Sequence, residues 1–131
     1  MYSSYKEMED KSKYNEKLKN NVKRIMTMED KKQFIENHDL CVIDIYGDWC
    51  GPCKLIENEY ANLAKKYNSD KVILCKENVD DGLTSRESIS GVPTFVFFKN
   101  KKFKTIIVGA DLDEEIGRAH VWTPVTRSSR M

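Results

Sequence analysis

Residues 40–46, Leu-Cys-Val-Ile-Asp-Ile-Tyr, form a nearly unbroken apolar run, and two cysteines and a helical stripe come closely after it. Such a run suits a strand buried on both faces, which demands neighbouring strands on either side and cover above and below. One charged residue, Asp44, interrupts it. Beyond Cys50-Gly51-Pro52-Cys53, Ile56, Tyr60, Leu63, Ala64 and Tyr67 recur at spacings of three and four. That stripe predicts a helix to about Tyr67. On the N-terminal side, Val22–Met26 reads as a short strand. Thr27 is a candidate N-cap, with Asp30 three residues on, for a helix through about Asn37 that buries Phe34 and Ile35. Val72–Val79 reads as a strand and Asp81–Ser88 as a short helix. Thr94–Lys99 and Lys102–Val108 read as a hairpin turning at Asn100 and Lys101. Gly109 ends that strand, and Asp111 or Asp113 opens a last helix. Early strands joined by helices imply parallel pairs, and the hairpin is antiparallel. The expected class is therefore α/β: a central mixed sheet of about five strands with helices on both faces.

The chain has 131 residues, the size of one ordinary domain, and its formal charge of +1 advertises no nucleic-acid or membrane surface. No apolar run is long enough to span a bilayer. Residues 1–21 are rich in Lys, Glu, Asn and Ser and lack an apolar core segment. They read as a flexible polar extension and not as a secretory signal, and the expected location is cytoplasmic. Four cysteines in such a setting point to redox chemistry or metal rather than to a stapled fold.

Cys50 and Cys53 can close a small disulfide ring or supply half of a zinc site. The buried strand feeding them and the helix starting within them favour the first. A helix N-terminus presents unpaired N–H groups and partial positive charge, so a thiolate there is stabilised and populated near neutral pH. Pro52 suits the first turn, where its missing N–H costs nothing. Gly51 permits a tight entry. Cys50, at the entry, is expected to be the exposed nucleophile, and Cys53, one turn in, the more buried resolving thiol. Zinc would want four ligands, yet Cys41 and Cys75 sit singly on predicted strands and His38 is isolated. No metal or cofactor is expected, and Cys41 and Cys75 read as packing cysteines.

Trp49-Cys50-Gly51-Pro52-Cys53-Lys54 resembles the active-site motif of the thioredoxin family. Asp44 six residues before Cys50, Val92-Pro93-Thr94 and Val108-Gly109-Ala110 extend the likeness over residues 22–115. The resemblance implies a thioredoxin-like fold and a protein-disulfide reductase working by dithiol exchange. Its partners would be disulfide-containing proteins and a thioredoxin reductase-type electron donor, and the chain would act as a monomer. The same resemblance implies that Asp44 accepts, through water, the proton of Cys53, with Lys76 close by. It also implies a cis peptide at Pro93, with backbone around Val92 pairing with an extended substrate. Trp49, Gly51, Pro52, Gly91, Val92, Pro93 and Gly109 would make up the substrate-binding area. The residues alone leave Asp44 open to being a strand-edge aspartate held by backbone hydrogen bonds. Alternative functions are a disulfide oxidase or isomerase, disfavoured by Gly-Pro between the cysteines, and a binding or assembly subunit whose thiols are incidental.

Three positions depart from the family's habit. Asn58 stands where a helix-kinking proline is common, so a straighter helix is expected. Lys101 replaces a hairpin glycine. Glu77 occupies a strand position that is usually apolar. The tail departs altogether. No acid occurs after Glu115, and three of the five arginines lie beyond it. Ile116–Thr126 looks like the translation of a sequencing-adapter read with TGA taken as Trp. Residues 116–131 are therefore expected to be non-native, leaving the last helix of the 22–115 domain truncated.

Overall fold

A computed structural model of the chain describes residues 22–85, 88–108 and 111–121. Five strands form one sheet: β1 (Arg24–Ile25), β2 (Leu40–Tyr46), β3 (Val72–Asn78), β4 (Thr94–Lys99) and β5 (Lys102–Ile107), in the spatial order β1-β3-β2-β4-β5. β1 and β2 run parallel to β3; β4 runs antiparallel to β2 and β5. The helices are α1 (Met28–Glu36), α2 (Gly51–Tyr67) and α3 (Leu112–Val121). The expected mixed α/β sheet with helices on both faces is the observed architecture.

The sheet divides the core in two. Leu40, Val42, Leu74 and Phe97 pack with Tyr60 and Ala64 of α2 and Ile116 of α3. Cys41, Ile43, Ile45, Cys75 and Val96 form the other core, with Phe34 and Ile35 of α1 against it. This is the period-two alternation of a strand covered on both faces. Tyr60 ties the layers together: its hydroxyl lies 2.7 Å from the carbonyl of Cys75 and 3.0 Å from that of Val42.

Two boundaries differ from expectation. The first strand contracts to Arg24–Ile25, because the cap of α1 claims the residues after Ile25. Asp30 N–H donates to Thr27 Oγ1 at 3.1 Å, and the Asp30 carboxylate accepts from Met26 N–H at 3.3 Å. Where a helix is expected over Asp81–Ser88, the described residues show a 3₁₀ turn, Val79–Asp81, capped by Asn78, whose side chain accepts from Asp80 N–H, and then a turn in which Ser88 N–H donates to the Ser85 carbonyl at 2.9 Å; residues 86 and 87 lie outside the described residues. Gly82, at φ 72, ends that turn in the left-handed region. Thr84 then donates to Glu77 Oε2 at 2.6 Å rather than continuing a helix. α3 runs across the expected boundary at Glu115, and Ile116 and Ala119 are buried. Their burial reports that these side chains fit the groove; it bears on packing and not on the origin of residues 116–131. The predicted N-terminal extension, and the tail beyond 121, lie outside the described residues.

The departures noted in the sequence have structural answers. α2 runs unbroken for 17 residues through Asn58. Glu77 is fully buried, and Lys31 Nζ sits 2.9 Å from its Oε1. A buried carboxylate is tolerable only with such partners. Asn100 and Lys101 both adopt positive φ, 53° and 72°. A lysine there crowds its Cβ against the backbone, which glycine avoids. Lys101→Gly is expected to raise stability by about 0.5–1 kcal/mol, the relief being partly offset by the freer unfolded chain. A urea midpoint that does not rise at unchanged slope contradicts this.

Candidate active site

β2 ends at Tyr46, and Gly47-Asp48-Trp49 carries the chain to α2. A side chain at Gly47 would put its Cβ 2.8 Å from the Trp49 ring, so the indole can lie across this position only because it is glycine. Trp49 is 66% exposed, and its Nε1 donates to Asp80 Oδ2 at 3.3 Å.

Cys50 is the N-cap of α2, with extended backbone, and its sulfur accepts from Cys53 N–H at 3.1 Å. Capping by sulfur fills the place usually taken by a serine or aspartate oxygen. No acidic residue occupies the first turn of α2, so no carboxylate within that turn offsets the positive end of the helix facing the sulfur. Cys50 and Cys53 are joined as a disulfide. The expected contrast in exposure is absent in this state: each cysteine is 4% exposed. Cys50 Sγ turns inward toward the Cys53 amide and also lies 3.7 Å from the carbonyl oxygen of Val92.

That contact brings the second landmark to the first. The Val92–Pro93 peptide is cis, as the resemblance implied. Thr94 Oγ1 donates to the Gly91 carbonyl. Trp49, Val79, Ile89, Ser90, Gly91 and Val92 line a shallow concavity of about 210 Å³ beside the disulfide. Gly51, Pro52 and Gly91 are exposed; Val92 and Pro93 are half-buried. Gly109, and Ala110 after it, lie outside the described residues.

On the other side of the disulfide a cavity of about 240 Å³ is lined by Asp44, Tyr46, Asp48, Cys53, Lys54, Glu57 and Lys76, with Gly47. Asp44 and Lys76 are register partners on β2 and β3. Asp44 is buried, and no described group hydrogen-bonds its Oδ1. It lies on an interior strand of the sheet, β2 being flanked by β3 and β4. Burial raises its pKa from the usual value near 3.8 to about 7; Lys76 pulls it down and Glu57 pushes it up. Lys76 Nζ also lies 5.9 Å from the Tyr46 ring centroid. Cys41 and Cys75 are remote in role: both are buried in the core under α1, with sulfurs 3.9 Å apart.

Sequence reasoning placed Asp44, Lys76, Trp49, Cys50, Cys53, Val92 and Pro93 around one centre, and the fold brings them there. It missed Asp80, which anchors the indole, and Glu57. Asp80 carried no local signal. Glu57 did, being four residues after Cys53 and so on the same helix face.

The thioredoxin family model matches residues 21–119. The chain is 42% identical over 91 residues to Thioredoxin-1 of Drosophila melanogaster, covering 66% of this chain and 84% of that protein. It is 39% identical over 87 residues to Thioredoxin-T of the same organism, covering 65% of this chain and 55% of that longer protein. The chain thus spans about half of the latter relative. Among solved structures it is similar to Fasciola hepatica thioredoxin, with TM-score 0.66 at 33% identity, covering 75% of this chain and 99% of that one.

Proposed function

The chain belongs to the thioredoxin family, and we propose on that premise that it is a thiol–disulfide oxidoreductase reducing protein disulfides through Cys50 and Cys53. The observation that carries the reading is the disulfide itself, closed across a helix N-cap with a buried carboxylate in the cavity behind it.

In the reduced protein the Cys50 thiolate, favoured by the Cys53 amide and the helix N-terminus, attacks one sulfur of a substrate disulfide. The other substrate sulfur leaves as thiolate, and a Cys50–substrate mixed disulfide forms. Asp44 takes the Cys53 proton through water in the cavity. The Cys53 thiolate attacks Cys50 Sγ and releases the second substrate sulfur. Two electrons have passed to the substrate, and the protein is left oxidised, with Cys50 and Cys53 joined as in this structure. A reductase-type donor returns two electrons. Trp49, Gly51, Pro52 and Gly91–Pro93 form the surface against which an extended substrate segment rests, with the Val92 backbone as its hydrogen-bonding edge. Gly109 is proposed to border the same surface.

We place this activity in the cytoplasm and assign it to the monomer. No helix among the described residues is long and apolar enough to cross a membrane.

Removing the resolving thiol tests the reading. Cys53→Ser should accumulate covalent adducts through Cys50 when exposed to oxidised proteins, and a dithiol reagent should release them. The absence of adducts under oxidising load, with Cys50 shown to be free, rejects the reductase.

A further inference from the structure

Resting on that reading, we propose that Glu57 is the second carboxylate of the buried acid site, acting against Lys76 to set how strongly Asp44 holds the proton of Cys53. The placement is specific. Cys53 and Glu57 lie one turn apart on α2, and both line the cavity that Asp44 lines from β2 and Lys76 from β3. The charged groups around that space are Asp48 after β2, Lys54 and Glu57 on α2, and Lys76 on β3. From β4, Phe95 is the register partner of Asp44 and brings no charge. Tyr60, deeper on α2, is kept neutral by burial. Of these groups, the two that act on Asp44 with resolved effect are Lys76, which favours its anion, and Glu57, which disfavours it.

The opposition has a chemical use. A carboxylate with an ordinary acidity is a poor acceptor for a thiol proton, since a free thiol titrates about four to five units higher. Burial closes most of that gap, and Lys76 reopens part of it. A like charge in the same cavity closes it again and makes Asp44 the stronger base. Glu57 thus acts through Asp44, as a positioning residue for a charge and not as a second catalyst. It is half-buried, between the solvent and the cavity.

The test is the Asp44 titration in the oxidised full-length protein, monitored by carboxyl carbon NMR, together with the pH profile of insulin reduction. Glu57→Gln keeps the shape and removes the charge. It should lower the Asp44 midpoint by a few tenths to about one unit, and shift the acid limb of the rate profile the same way. Glu57→Lys should lower it further, and Glu57→Asp should restore part of the wild-type value. A merely structural role would move neither quantity. An unmoved midpoint and limb in Glu57→Gln, alongside a limb abolished by Asp44→Asn, overturns the inference alone. A limb that survives Asp44→Asn overturns the reading of Asp44 and this inference together.

Discussion

Cys50→Ser is expected to bring protein-disulfide reduction down to the uncatalysed rate, a loss of at least about 10³-fold. The loss has one cause. A serine hydroxyl in the same N-cap position accepts the Cys53 amide equally well, but it is not ionised near neutral pH and forms no stable bond to a substrate sulfur. The helix end, the cavity and the Trp49 surface all remain, so binding should persist while chemistry stops. Cys53→Ser differs in kind. It keeps the first attack and loses the second, so it traps where Cys50→Ser does not. Insulin reduction driven by a dithiol reagent, with circular dichroism to check the fold, measures the difference. Activity of Cys50→Ser within tenfold of wild type would mean that the electrons travel by another route.

Asp44→Asn should make the oxidised protein more stable above neutral pH and a slower catalyst. The direction of the shift fixes the sign. Asp44 titrates near 7 in the fold instead of near 3.8. Between those values the folded state therefore holds a proton that the unfolded chain has released. The contribution of this group to stability falls as pH rises through that window and is lost above about 7. The full shift of about three units corresponds to about 4 kcal/mol, and the part lost between pH 5 and 8 to about 3 kcal/mol. Asparagine does not titrate, so the variant should lose none of it. Comparing the two proteins at both pH values removes any constant cost of burying the amide. Denaturant melts of both oxidised proteins at pH 5 and pH 8 give this double difference. A gap that fails to widen toward pH 8 contradicts the assignment of a buried, raised acid. With the base gone, resolution of the mixed disulfide should slow by about 10²-fold at neutral pH. Rapid-quench measurement of substrate release reads this step. On the proposed role of Asp44, the site trades stability for a proton acceptor matched to a thiol.

The sheet was legible because its signals are local and redundant. The apolar run at Leu40–Tyr46 admits few fates, and the aromatic pair of segments around Asn100-Lys101 can turn in few ways. The places where reading failed are those where side chains from distant segments compete with the backbone. Met26 N–H goes to Asp30 and not to a ladder. Thr84 bonds Glu77, and Lys31 reaches the Leu83 carbonyl, so the segment after β3 is pinned by contacts and not coiled by its own propensity. Exposure of the thiols failed for a related reason: it depends on how Cys50 Sγ turns toward Val92, 42 residues away in sequence.

By itself the sequence determined that a buried strand meets a helix at a pair of cysteines, and that a lone carboxylate sits on that strand. Periodicity and helix-end chemistry act over a few residues and need no partner. Tertiary structure alone decided how strongly that carboxylate holds its proton and which charges surround it. Desolvation and Coulomb interactions depend on distances between atoms that the chain order leaves far apart. Asp44, Glu57 and Lys76 lie on three separate elements, and only the packing of α2 over β2 and β3 places them around one cavity.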